Sequence, residues 1–125
     1  MTPALSEITQ IAVVVSDVSV SLPYYRDVLG LKFLFSPRPE MAFLQAGNVR
    51  IMLTLSFGHG TAGANSAILY FTVKDIEQTH AAIMARGGLE ERGAQLTAKM
   101  PDHELWVSIL KDPDGNLIGL MEEKR

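Results

Sequence analysis

Residues 10–33 read QIAVVVSDVSVSLPYYRDVLGLKF, and three successive patterns lie inside this stretch. Gln10 to Val15 is a β-branched run of strand length. Ser16 and Asp17 then supply helix-capping chemistry, with Asp17, Ser19 and Ser21 all suited to the N-cap. Pro23 is tolerated near a first helical turn, where its missing N–H has no partner to lose, so the helix is predicted to start at Ser19 or Ser21. Leu22, Tyr25 and Leu29 follow at helical spacing, and Gly30 closes the segment as a left-handed cap.

Downstream, Leu31–Phe35, Met41–Ala46 and Val49–Leu55 read as three antiparallel strands, joined by a turn at Ser36–Pro39 and another at Gly47-Asn48. The order is βαβββ. A glycine-rich stretch, FGHGTAGANS at 57–66, carries no periodicity and reads as a linker or a loop over a site. The same programme then returns. Ala67–Val73 is a strand, Lys74-Asp75 a cap and Ile76–Arg86 a helix closed by Gly87-Gly88; Leu96–Met100, Leu105–Leu110 and Asn116–Met121 supply further strands, and Asp112–Gly115 forms the last turn. Asp17 to Gly30 spans 13 positions, as does Asp75 to Gly88, and Leu31 and Leu89 lie 58 apart. An internal duplication explains that spacing. The expected architecture is α+β: one domain over 1–125 built from two tandem βαβββ modules, about 7–57 and 66–122, whose strands form a cup-shaped mixed sheet with helices outside.

The chain has 125 residues, 47% of them hydrophobic and 20% charged, a globular composition. It contains no cysteine, which removes thiolate nucleophiles, disulfides and Cys-ligated zinc. Eleven basic and fourteen acidic residues give a net charge of −3, without a basic block, so neither nucleic acid nor a membrane surface is an expected partner. No leader is visible at the start and no run suits a membrane span, which makes a cytoplasmic location the expectation. The expected partners are a small organic ligand and a second copy of the chain as a homodimer.

The segments IAVVVSDVSVSLPYYRDVLGLKF and ILKDPDGNLIGLM, with the repeat of 58, resemble the vicinal oxygen chelate superfamily of glyoxalases, bleomycin resistance proteins and dioxygenases. The resemblance implies two modules rolled into a cup with the ligand inside. In the enzymes of that family it implies a divalent metal, held from four inward positions on the first and last strands of each module. Those positions fall on Gln10, Met52 (or Thr54 after a slip of two), Ile68 and Gly119 in this chain. An amide, a thioether, an isoleucine and a glycine are a poor donor set for a divalent cation, so no metal and no cofactor are expected.

Parity from Gln10 predicts an inward set of Gln10, Ala12 and Val14 with Arg50, Met52 and Thr54, and the repeat adds Ile68, Tyr70 and Thr72 with Leu117, Gly119 and Met121. Apolar walls with a few polar points suit a small organic ligand; a cup packed shut by its own side chains is the other reading. Arg50 is either an anion anchor or a rim residue reaching solvent. Trp106 either stacks on a planar ligand or packs in the core. His103, beside Asp102 and Glu104, is either a local metal or acid/base cluster or a polar turn. The ligand-binding set is thus Gln10, Arg50, Met52, Thr54, Tyr70, His103 and Trp106, with no catalytic residue assigned. A binding protein of the bleomycin resistance type is one functional reading. Another is a lyase, isomerase or dioxygenase with a rearranged metal site built from Gln10, His59 and His103, or with metal-free acid/base chemistry.

Overall fold

The computed structural model describes residues 3–125. The first module runs β1 (Gln10–Val14), α1 (Val18–Pro23), a π-helical turn (Tyr24–Val28), β2 (Lys32–Arg38), β3 (Met41–Ala46) and β4 (Val49–Thr54). The second runs β5 (Leu69–Thr72), α2 (Ile76–Ala85), β6 (Leu89–Lys99), β7 (Glu104–Lys111) and β8 (Leu117–Lys124). Each module folds into a four-stranded mixed sheet, in the orders β1-β4-β3-β2 and β5-β8-β7-β6. The first strand of each module pairs in parallel with its last, and the remaining pairs are antiparallel. The duplication read from the spacing is therefore a duplication of topology.

The first helix starts earlier than the proline suggested. Asp17 is the N-cap, its carboxylate accepting from the Ser19 backbone N–H at 3.0 Å. Pro23 becomes the last residue of α1. Because proline has no N–H to give, the ladder resumes with a wider turn, in which Leu29 N donates to Tyr24 O at 2.9 Å. Gly30, at φ +86°, then ends the segment in the left-handed region as its position implied.

Three strands extend beyond the segments expected from hydrophobic pattern. β2 continues through Ser36-Pro37-Arg38, and its register shifts between Phe33 and Phe35 and again before Arg38. β6 begins at Leu89 immediately after the second helix, with register shifts along its eleven residues. Both are edge strands, where bulges interrupt the period of two that would reveal them. β8 carries its pairing to Lys124, so the charged tail is strand.

One face of each sheet is covered by helix and core. Val15, Val18, Tyr25, Leu44, Ile51 and Leu53 of the first module share a single buried cluster with Ile76, Ile83, Leu110, Ile118 and Leu120 of the second. Polar contacts tie the modules together across it. Tyr24 Oη donates to Lys111 O at 2.6 Å and accepts from Leu89 N at 3.0 Å, while Tyr25 Oη donates to Asp112 Oδ2 at 2.8 Å. Arg86 reaches back to Val28 O at 3.0 Å.

Candidate ligand-binding site

The ladder registers define the face of each sheet turned away from the core, since directly paired residues project to the same side. On the first sheet this open face has three rows across the strands: Lys32, Gln45, Arg50 and Gln10; then Phe35, Phe43, Met52 and Ala12; then Arg38, Met41, Thr54 and Val14. Gln10, Arg50, Met52 and Thr54 thus share this face, as parity predicted, but Thr54 is buried and its hydroxyl donates to Leu55 O at 3.0 Å. The Gln10 amide is engaged by its neighbours: Arg50 Nε donates to Oε1 at 2.8 Å, and Nε2 donates to Met52 Sδ at 3.7 Å.

Sequence reading missed two aromatic residues on this face. Phe43 lies between Met52 and Phe35 in the ladder, and it is stacked with Phe35 at 4.8 Å between centroids and 26° between planes. Phe43 could have been found by carrying the parity of Met52 across the hairpin. Phe35 could not, because strict alternation from Lys32 puts Leu34 on the open face and the register shift after Phe33 brings Phe35 there instead.

On the second sheet, Tyr70 pairs with Gly119 and Gly119 with Ile109, while Thr72 pairs with Met121 and Met121 with Val107. Tyr70 is 49% exposed, yet its ring rests on Gly119 so closely that a methyl group added there would stand 2.3 Å from Cδ1. Tyr70 also lines a cleft of about 730 Å³ together with Lys32, Gln45, Val49, Ile68 and Thr72, between the free edge of β5 and the first sheet.

Trp106 and His103 stand apart from this group. Trp106 pairs with Glu122 and Leu96, packs against the buried core and lies under the Lys124 ammonium at 4.5 Å, so it is on the core side of its sheet. His103 occupies the turn before β7, with Nδ1 2.7 Å from Asp102 and Nε2 3.9 Å from Glu123. The hydrogen bonds from His103 and Arg125 hold the Asp102 carboxyl below its ordinary range. His59 is exposed in the linker.

Two further polar groups are structural. His80, on α2, is buried, with Nδ1 3.0 Å from Ser108 Oγ and Nε2 2.6 Å from Glu90. Asp112 is buried in the last turn and accepts from Asp114 N, Asn116 N, the Asn116 amide and Tyr25 Oη, which satisfies both carboxylate oxygens. Burial, then the Asp112 charge, raises the Tyr25 hydroxyl far above the ordinary tyrosine value.

The metal expected in enzymes of this architecture can be tested against the residues present. Gln10 spends its oxygen on Arg50, Gly119 has no side chain and is covered by the Tyr70 ring, and Ile68 and Met52 offer no hard donor. Among the described residues, no three His, Asp or Glu side chains gather as a metal-binding group. The residues at these positions do not fit a divalent cation.

Paired βαβββ modules, each a four-stranded mixed sheet with its first strand parallel to its last, define a protein of the vicinal oxygen chelate class. A family model described as "Glyoxalase/Bleomycin resistance protein/Dioxygenase superfamily" matches residues 7–120, and the chain belongs to that superfamily. A lactoylglutathione lyase from Haemophilus influenzae is 35% identical over 124 residues, covering 88% of this chain and 87% of the relative. Among solved structures, a glyoxalase-related enzyme from Fulvimarina pelagi superposes with a TM-score of 0.77 at 21% identity, over 94% of this chain and 88% of that one. TnmS3, an antibiotic binding protein from Streptomyces sp. CB03234, superposes with a TM-score of 0.75 at 21% identity, over 98% of this chain and 100% of that one. At those identities the two structures show the shared fold. No helix among the described residues is long and apolar enough to cross a membrane.

Proposed function

We propose that this protein binds a small organic molecule on the open faces of its sheets, without a resident divalent metal. The observation that carries the reading is the chemistry at the four positions where the family's enzymes hold their metal: Gln10 bonded to Arg50, Met52, Ile68, and Gly119 beneath the Tyr70 ring. Gln10, Arg50, Met52 and Tyr70 are the contact residues of this reading, with polar groups to orient a ligand and apolar ones to bind it, while Thr54 lies buried beneath them. The likeness to an antibiotic binding protein is consistent with such a use of the fold. The deciding experiment is a thermal-shift screen of small organic compounds combined with metal analysis of the dialysed protein. Ligands that raise the midpoint of metal-free protein support the reading; stoichiometric, tightly held Zn, Ni, Fe or Mn overturns it.

A lyase is the second reading, favoured by the 35% identity to a lactoylglutathione lyase. Turnover of lactoylglutathione by the purified protein, with or without added metal, is its test. In either case the expected assembly is a cytoplasmic homodimer. Leu89, Leu96 and Met100 are exposed apolar side chains away from the proposed ligand contacts, and β1, β2, β5 and β6 are free sheet edges, a combination that favours closed pairing of two copies.

A further inference from the structure

We propose that the open face of the first sheet is a subsite for a planar aromatic anion, with its carboxylate on Arg50 and its ring against Phe35 and Met52. The inference rests on the small-molecule reading above and names the chemical class of the ligand.

Charge is the first argument. The three rows of this face hold Lys32, Arg38 and Arg50 and no acidic residue, in a chain whose net charge is −3. Among the described residues, the ion pairs do not include Arg50. Its guanidinium is fixed by the Nε donation to Gln10 at 2.8 Å and lies over the Phe43 ring, with Cζ 5.2 Å from the centroid. A planar cation held through Nε keeps its two terminal nitrogens for an incoming oxyanion, and the arginine fork matches a carboxylate in two parallel hydrogen bonds. Holding the stem in place beforehand reduces the ordering cost of that recognition.

Shape is the second argument. Phe43 is almost covered, whereas Phe35, stacked on it, is 47% exposed and presents an aromatic surface with no partner assigned by the fold. Met52, beside Phe43 in the ladder, adds a polarisable wall. Met52 is two residues along β4 from Arg50, about 6–7 Å, whereas Phe35 lies two strands away, about 10 Å across, with the Phe43 ring between them at 5.2 Å from Arg50 Cζ and 4.8 Å from the Phe35 centroid. Those separations suit a carboxylate attached directly to a fused or substituted ring: the anion meets the guanidinium while the ring reaches the aromatic row.

The test uses three probes and two variants. Calorimetric titration compares 1-naphthoate, its neutral carboxamide and cyclohexanecarboxylate, which separates charge from ring. Wild-type protein is expected to bind 1-naphthoate saturably and more tightly than either comparison probe. Arg50→Met, which retains the packed stem, should weaken 1-naphthoate by roughly ten- to a hundredfold and leave the carboxamide unchanged. Phe35→Leu should weaken both aromatic probes and leave cyclohexanecarboxylate unchanged. Unaltered thermal midpoints in both variants show that the fold is intact. Absence of saturable 1-naphthoate binding overturns the proposal, as does binding that neither variant alters. If compound screening yields only neutral ligands indifferent to Arg50→Met, the anion assignment fails while the small-molecule reading survives. If no organic ligand binds at all, both fail. If the variants change the sedimentation of the protein but not probe binding, the face is a contact between copies and the proposal is wrong.

Discussion

The hydroxyl of Tyr25 donates to the carboxylate of Asp112 at 2.8 Å, joining the end of the first helical segment to the last turn of the second module across 87 positions of sequence. Both residues are buried, and Asp112 uses its remaining lone pairs on Asp114, Asn116 and the Asn116 amide. The contact makes the two modules one structure. Removing the hydroxyl by Tyr25→Phe leaves a buried carboxylate short of one donor and should cost about 1–3 kcal/mol in urea unfolding. A loss below a few tenths of a kcal/mol would show that the contact is incidental.

The same hydroxyl gives a pH dependence with a definite sign. Burial raises Tyr25 in the folded state, and Tyr24 in the same direction through its own burial, whereas the unfolded chain ionises near the ordinary value of 10.0. The folded state therefore retains protons that the unfolded state loses. Stability from this source is complete below pH 10 and falls as pH rises above it. Unfolding curves between pH 9 and about 11.5 should show a slope that is reduced in Tyr25→Phe; equal slopes in the two proteins would refute the assignment.

Gly119 and Tyr70 should behave as a coupled pair. Gly119→Ala places a methyl group against the Tyr70 ring and should cost about 1–3 kcal/mol, the usual penalty of overpacking. In a Tyr70→Ala background most of that cost should vanish. Additive losses in the double-mutant cycle would mean that the cost of the methyl group does not come from the Tyr70 ring.

Added Ni²⁺ or Zn²⁺ should not raise the thermal midpoint, and Gln10→Ala should leave that response unchanged, because the four family metal positions provide no linkage stabilisation to lose. A metal-dependent rise abolished by Gln10→Ala would show that these positions do bind a cation.

Sedimentation over micromolar concentrations should give a dimer, following from the exposed apolar side chains and free sheet edges. A species of one 13.7 kDa chain throughout would refute this.

The helix cap at Asp75, the repeat of 58 and the shared parity of Gln10, Arg50, Met52 and Thr54 were legible in the chain alone, because capping and alternation act between residues close in sequence or in matched strands, whereas Asp17 was one of three candidate caps and Pro23 pointed to the later two. Four residues of the expected ligand set therefore stand together where parity put them. Trp106 did not join them: its pairing with Glu122 and Leu96 turns it to the core side, and the identity of a lone tryptophan says nothing about which side it takes. Phe35 enters the face through a register shift in β2, and β6 extends back to Leu89 through several; both depend on pairing with a neighbouring strand rather than on local pattern. The stacking of Tyr70 on Gly119 and the bond from Tyr25 to Asp112 are likewise beyond sequence periodicity, since they require two strands or two modules to be in place first. Local rules thus determined the modules and the parity of their strands, while long-range packing decided which side chains meet on the open face and what holds the modules together.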